Sequence, residues 1–144
     1  MMDENLKRAI ILDHYQHPHN KGLLDDESYK KKHMAADSCI DDITVAMKFD
    51  GEEIKDVRFD GQACTISTSS TSIMSELLKG KKLDEALHII DEYYKMIDEK
   101  SFDVELLEEA NAFDTLYKQA NRINCGTIGI RAMEDLIKEH QNEQ

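Results

Sequence analysis

The sequence predicts an α+β fold: a small antiparallel sheet of about three strands covered by several α-helices. Three observations carry this. The stretch "ITVAMKF" at 43–49 alternates Ile43, Val45, Met47 and Phe49, and a hairpin signal follows it at Asp50-Gly51. From Ile66 onward the apolar period becomes helical. Strand patterns precede helix patterns instead of alternating with them, which separates this class from the parallel α/β folds.

Taken in order, residues 3 to about 17 are expected to form a helix with Leu6 and Ile10 on its apolar side, ended by Pro18. "HYQHPHNKGLLDDESY" then reads as a polar connection. The strand at 43–49 turns back through Asp50-Gly51 into a second strand carrying Val57 and Phe59, with Ile54 out of phase at a bulge. Gly61 ends it. Ile66, Ser70, Ile73, Met74, Leu77 and Leu78 mark a helix stopped by Gly80, and "TISTSSTS" forms its N-terminal turn. Leu83, Ala86, Leu87, Ile90, Tyr94 and Ile97 mark the next. Phe102, Leu106, Ala110, Phe113 and Tyr117 suggest a broken third helix. Cys125, Ile128, Gly129, Ala132, Met133, Leu136 and Ile137 give a last one of nearly perfect period.

A chain of 144 residues fits one domain, 1–144, able to bury roughly two-thirds of its unfolded surface. The net charge of −12 argues against a nucleic-acid partner, because a polyanion is held by clustered Lys and Arg. The densest basic run, "YKKKH" at 29–33, is short and flanked by acids. No apolar stretch is long enough to span a membrane, and the acidic, amphipathic start does not read as a signal peptide. The cytoplasm is therefore expected. A reducing compartment also suits three widely separated cysteines, an odd number that suggests no disulfide framework.

Those cysteines fall at element junctions. Cys39 lies just before the first hairpin strand with Asp41 two residues on, so both side chains leave an extended chain on the same face. Cys64 sits between a strand and a helix; Cys125 opens the last helix. Helix N-termini favour thiolates. Three thiolates and one carboxylate would suit tetrahedral Zn²⁺, and thiolates are also the usual ligands of iron–sulfur clusters. No CxxC pair is present, and Cys125 in phase with an apolar face equally fits a buried structural cysteine. His14, His17 and His19, clustered at the end of the first helix, read either as solvated residues near a helix C-terminus or as a set that binds a metal or contacts a partner. Arg122 is either an exposed helix-start arginine or a group that steers an anion or thiolate.

Four segments in order, "LDHYQHPHNKGLL", the C-x-D of Cys39 and Asp41, "FDGQACTISTSSTSIMSELLKGK" and "RINCGTIGIRAMEDLI", resemble the U-type iron–sulfur cluster assembly proteins, the IscU/NifU-N-terminal family. The chain is more similar to the SufU branch. The 60 residues between Cys64 and Cys125 match a longer helical insertion, expected at about 81–118. Asn124 stands where cluster-building scaffolds carry histidine, and the proline-rich chaperone-recognition motif is absent. The resemblance implies Zn²⁺ held by Cys39, Asp41, Cys64 and Cys125, and a PLP-dependent, SufS-like cysteine desulfurase as partner, with downstream iron–sulfur assembly proteins after it. It implies zinc-dependent sulfur transfer with Cys39 as persulfide acceptor, and Arg122 and Tyr15 in partner contact or thiolate steering. The alternatives are a scaffold for a [2Fe–2S] cluster and a purely structural zinc.

The chain departs from the family pattern around the first ligand loop. Ile40 and Ala63 replace glycines, Asp37 replaces a proline, and Asp42 replaces a basic residue. Ile40 lacks glycine's access to positive φ, so the loop is expected to be shaped differently.

Overall fold

A computed structural model describes residues 2–35 and 40–143 of the chain. Its centre is an antiparallel hairpin of β2 (Asp42–Asp50) and β3 (Glu53–Gln62). The loop is Gly51-Glu52, one residue beyond the expected Asp50-Gly51, and Gly51 supplies a φ of +60°. The expected bulge is present: Lys48 pairs with Asp56 but Phe49 with Ile54, leaving Lys55 as the extra residue. That single insertion turns Ile54 inward beside Val57 and Phe59, where all three are buried.

The third strand is β1 (Lys30–Ala35, "KKKHMA"), at the edge beside β2. The sequence disguised it as a basic run. Its alternation is real, with Lys30, Lys32 and Met34 half-buried and Lys31, His33 and Ala35 exposed. The inner lysines reach the last helix, Lys32 to Glu139 at 2.6 Å and Lys30 to Glu143. Lysines on an edge strand also discourage pairing with another sheet.

Helices cover one face. α5 (Ile123–Asn142) packs on β1 and β2, α2 (Thr65–Leu78) lies between α5 and β3, and α1 (Glu4–Gln16) flanks α2. α3 (Leu83–Ile97) packs against α5, burying Leu83, Ala86, Ile90, Tyr93 and Ile97. The third helix is broken as expected: α4 (Val104–Leu107) gives way at Glu108, at φ +45°, to 3₁₀ turns reaching Arg122. Among the described residues no helix is long and apolar enough to cross a membrane.

α1 corrects the expected amphipathic face. Leu6 is 49% exposed, Ile10 is half-buried, and the fully buried positions are Lys7 and His14. Lys7 Nζ lies 2.6 Å from Asp114, and His14 bonds Ser72 and Glu109, so α1 is anchored to its neighbours by polar links. His14 is thus a buried hydrogen-bonded histidine, not a solvated one. Ser72 and Glu109 give both ring nitrogens a partner, which is what a buried imidazole requires.

α2 is buried nearly all round although rich in hydroxyls; Ser67, Ser69, Thr71, Ser72 and Ser75 are each 0% exposed. Back-bonding satisfies most of them, as with Thr71 Oγ1 to the Ser67 carbonyl at 2.7 Å and Ser75 Oγ to that of Ser72 at 2.6 Å. Small side chains let α5 come close. A Cβ on Gly129 would stand 2.0 Å from Thr71 Oγ1, so this crossing tolerates only glycine as built.

Candidate metal centre

The close α2–α5 crossing places two helix N-termini side by side. Cys64 is the N-cap of α2 and Cys125 the third residue of α5. β2 begins at Asp42, directly after Asp41, and pairs with the end of β3 just before Cys64. Gly61 makes this approach possible: at φ +129° it lies so near the Asp42 carbonyl that a Cβ would be 2.0 Å from that oxygen.

One ligand atom each from Asp41, Cys64 and Cys125 therefore falls within 4.8 Å of the others. Asp41 is 2% and Cys125 4% exposed, while Cys64 is half-buried. The Cys64 backbone N–H donates to Asp41 Oδ1 at 2.8 Å, and the Ser67 hydroxyl donates to Oδ2. Ser67 N–H donates to Cys64 Sγ at 3.4 Å, closing the helix cap. Asp41 has further interactions besides these.

The donors fit a tetrahedral thiophilic ion. Zn–S bonds of about 2.3 Å put tetrahedral ligand sulfurs about 3.8 Å apart, inside the span of this group. Burial, then the neighbouring Cys64 and Asp41, push the Cys125 thiol up to about 12. A buried thiol beside a carboxylate resists ionisation unless a cation joins them, the condition a metal meets.

The expected fourth ligand, Cys39, lies outside the described residues. Arg122 sits exposed at the N-cap of α5, and its guanidinium makes no hydrogen bond or ion pair among the described residues. Tyr15 is 44% exposed on α1. It follows His14, whose ring bonds Ser72, eight residues and hence about 12 Å along α2 from Cys64. Ile40 is 71% exposed beside the group, and Asp42 pairs with His33 across the strands at 2.7 Å. Ser67 was hidden in "TISTSSTS"; its signal is the three-residue spacing from Cys64, which in a helix start points back at the cap.

Sheet, helices and thiol–carboxylate group define a class: a small α+β protein with a candidate metal-binding cluster where two helix N-termini meet a strand end. The NifU-like N terminal domain family model matches residues 6–126, and the chain belongs to that family. It is 35% identical over 139 residues to the zinc-dependent sulfurtransferase SufU of Bacillus subtilis, covering 96% of this chain and 93% of that one. It is 33% identical over 141 residues to the iron–sulfur cluster assembly scaffold protein IscU of Streptococcus pyogenes serotype M1, covering 97% and 87%. A crystal structure of a NifU-like N-terminal protein from Brucella abortus superposes with a TM-score of 0.85 over 99% of this chain and 100% of that one, at 17% identity, a likeness of fold alone.

Proposed function

We propose that the chain works in iron–sulfur cluster assembly as a zinc-dependent sulfur acceptor served by a PLP-dependent cysteine desulfurase. The observation that carries this is the convergence of Asp41, Cys64 and Cys125 within 4.8 Å, in a chain similar over 96% of its length to a zinc-dependent sulfurtransferase. Cys39 is the proposed fourth ligand and the acceptor. Zinc held there would compensate the clustered negative charge, keeping the thiols ionised at neutral pH and muting them as nucleophiles.

The residues divide the work. Once free of the ligand set, the Cys39 thiolate attacks the terminal sulfur of the desulfurase's cysteine persulfide. A sulfur–sulfur bond forms on Cys39, the donor's sulfur–sulfur bond breaks, and the donor cysteine leaves as a thiolate, with no net oxidation. Cys64 and Cys125 are anchors built on rigid helix ends. Asp41 offers a hard oxygen among soft sulfurs, the ligand easiest to exchange. Arg122 and Tyr15, both exposed, are proposed for partner contact or thiolate steering. The region at about 81–118 is proposed as the branch's insertion within a single domain, downstream iron–sulfur assembly proteins as later partners, and the cytoplasm as the compartment that keeps the thiols reduced.

The test is cysteine turnover by the cognate desulfurase under mild reductant. Strong stimulation by zinc-loaded protein, lost on metal removal or in Cys39→Ala, is expected. Absent stimulation would refute the acceptor reading. A coloured cluster assembling on the protein and moving to an apo-acceptor would support the scaffold, a reading favoured by the likeness to the streptococcal scaffold.

A further inference from the structure

Ser67 stands between two of the proposed ligands. Its side chain is fully buried, donates its hydroxyl proton to Asp41 Oδ2, and its oxygen lies 3.3 Å from Cys64 Sγ. A hydroxyl has one proton to give. The Cys64 sulfur already receives the Ser67 backbone N–H, so the hydroxyl proton is left for the carboxylate. The other carboxylate oxygen takes the Cys64 N–H. Both donors come from the first turn of α2, so the helix that carries one sulfur ligand also fixes the plane of the oxygen ligand.

We propose that Ser67 is a positioning residue for the metal centre: its hydroxyl holds the Asp41 carboxylate in the orientation that lets it act as a ligand. The inference rests on Asp41, Cys64 and Cys125 being metal ligands. Without the hydroxyl, Asp41 loses the donor that ties Oδ2 to the first turn of α2, and its carboxylate gains freedom to rotate. Groups that orient metal ligands typically contribute 10–100-fold in metal affinity. Because Ser67 acts through Asp41, its contribution must disappear when Asp41 is absent.

The experiment is a double-mutant cycle read by Zn²⁺ affinity, from competition with a chromogenic chelator, with folding checked by circular dichroism. Ser67→Ala is expected to weaken Zn²⁺ binding about 10–100-fold with Asp41 present, but by less than about 2-fold in Asp41→Ala. Ser67→Thr and Ser67→Val share one shape and differ in the hydroxyl; Thr is expected to bind Zn²⁺ at least about 10-fold more tightly than Val. That pair decides the question if the alanine variant does not fold. An unchanged affinity in Ser67→Ala, an equal loss in both Asp41 backgrounds, or equal Thr and Val variants would overturn the proposal. Failure of the unsubstituted protein to bind Zn²⁺ would instead refute the metal reading beneath it.

Discussion

Gly129→Ala tests how the helix crossing holds the centre. The added Cβ would meet three atoms of one residue: Thr71 Oγ1 at 2.0 Å, Cγ2 at 2.8 Å and Cβ at 2.9 Å. Rotating Thr71 about χ1 can move the first two but not the third. Thr71 is also fully buried and tied through Oγ1 to the Ser67 carbonyl. The helices must therefore separate. Overpacking a filled site costs about 1–3 kcal/mol, and a contact that no rotamer relieves belongs at the upper end. Alanine returns about 1 kcal/mol of helix propensity relative to glycine. The net loss is about 2 kcal/mol, a fall in Tm of about 4–8 °C for a chain of this size. Thermal unfolding followed by circular dichroism measures it. Thr71→Ala in the same chain removes two of the three clashing atoms and is expected to recover at least half the loss. Because α2 carries Cys64 and α5 carries Cys125, zinc affinity is expected to fall with Tm. A Gly129→Ala protein as stable as the parent would refute the reasoning, showing that propensity outweighs the crossing.

Lys7→Met leaves Asp114 without its cation in a site where both side chains are at most 10% exposed, and is expected to destabilise by about 2–4 kcal/mol in urea unfolding; a change under 0.5 kcal/mol would show that the pair is replaceable. Tyr93 is buried, with its hydroxyl donating to the Gly126 carbonyl at 2.6 Å, and burial raises its pKa far above the usual 10.0. Above pH 10 the unfolded chain releases this proton and the folded one keeps it, so stability falls as pH rises, by about 1.4 kcal/mol per unit from this group. Tyr93→Phe should cost about 1 kcal/mol at neutral pH and flatten that alkaline limb; equal slopes in urea titrations at pH 10–11.5 would contradict the assignment. Zinc binding at pH 7 is expected to release more than one proton per ion, because the Cys125 thiol, up at about 12, must give its proton up. Calorimetry in buffers of differing ionisation heat measures this, and no release would mean Cys125 is not a ligand.

The sequence by itself determined what periodicity and turn chemistry encode. Alternation at 43–49, the glycine in the hairpin and the out-of-phase Ile54 defined the hairpin and its bulge, and apolar spacing located α2, α3 and α5. Asp41, Cys64 and Cys125 were legible as candidate ligands from their residue types and motif context. β1 was not legible, because an edge strand needs only one half-buried face, and here lysines paired with α5 glutamates fill that role. The burial of α1 was misread for a related reason: Lys7 and His14 are buried by partners far along the chain, at Asp114, Ser72 and Glu109. Only the tertiary structure decided that Ser67 caps the carboxylate and that Gly129 admits Thr71. The first depends on how α2 sits against the residue that leads into β2 and the second on the distance between α2 and α5, quantities set by packing and carried by no local run of residues.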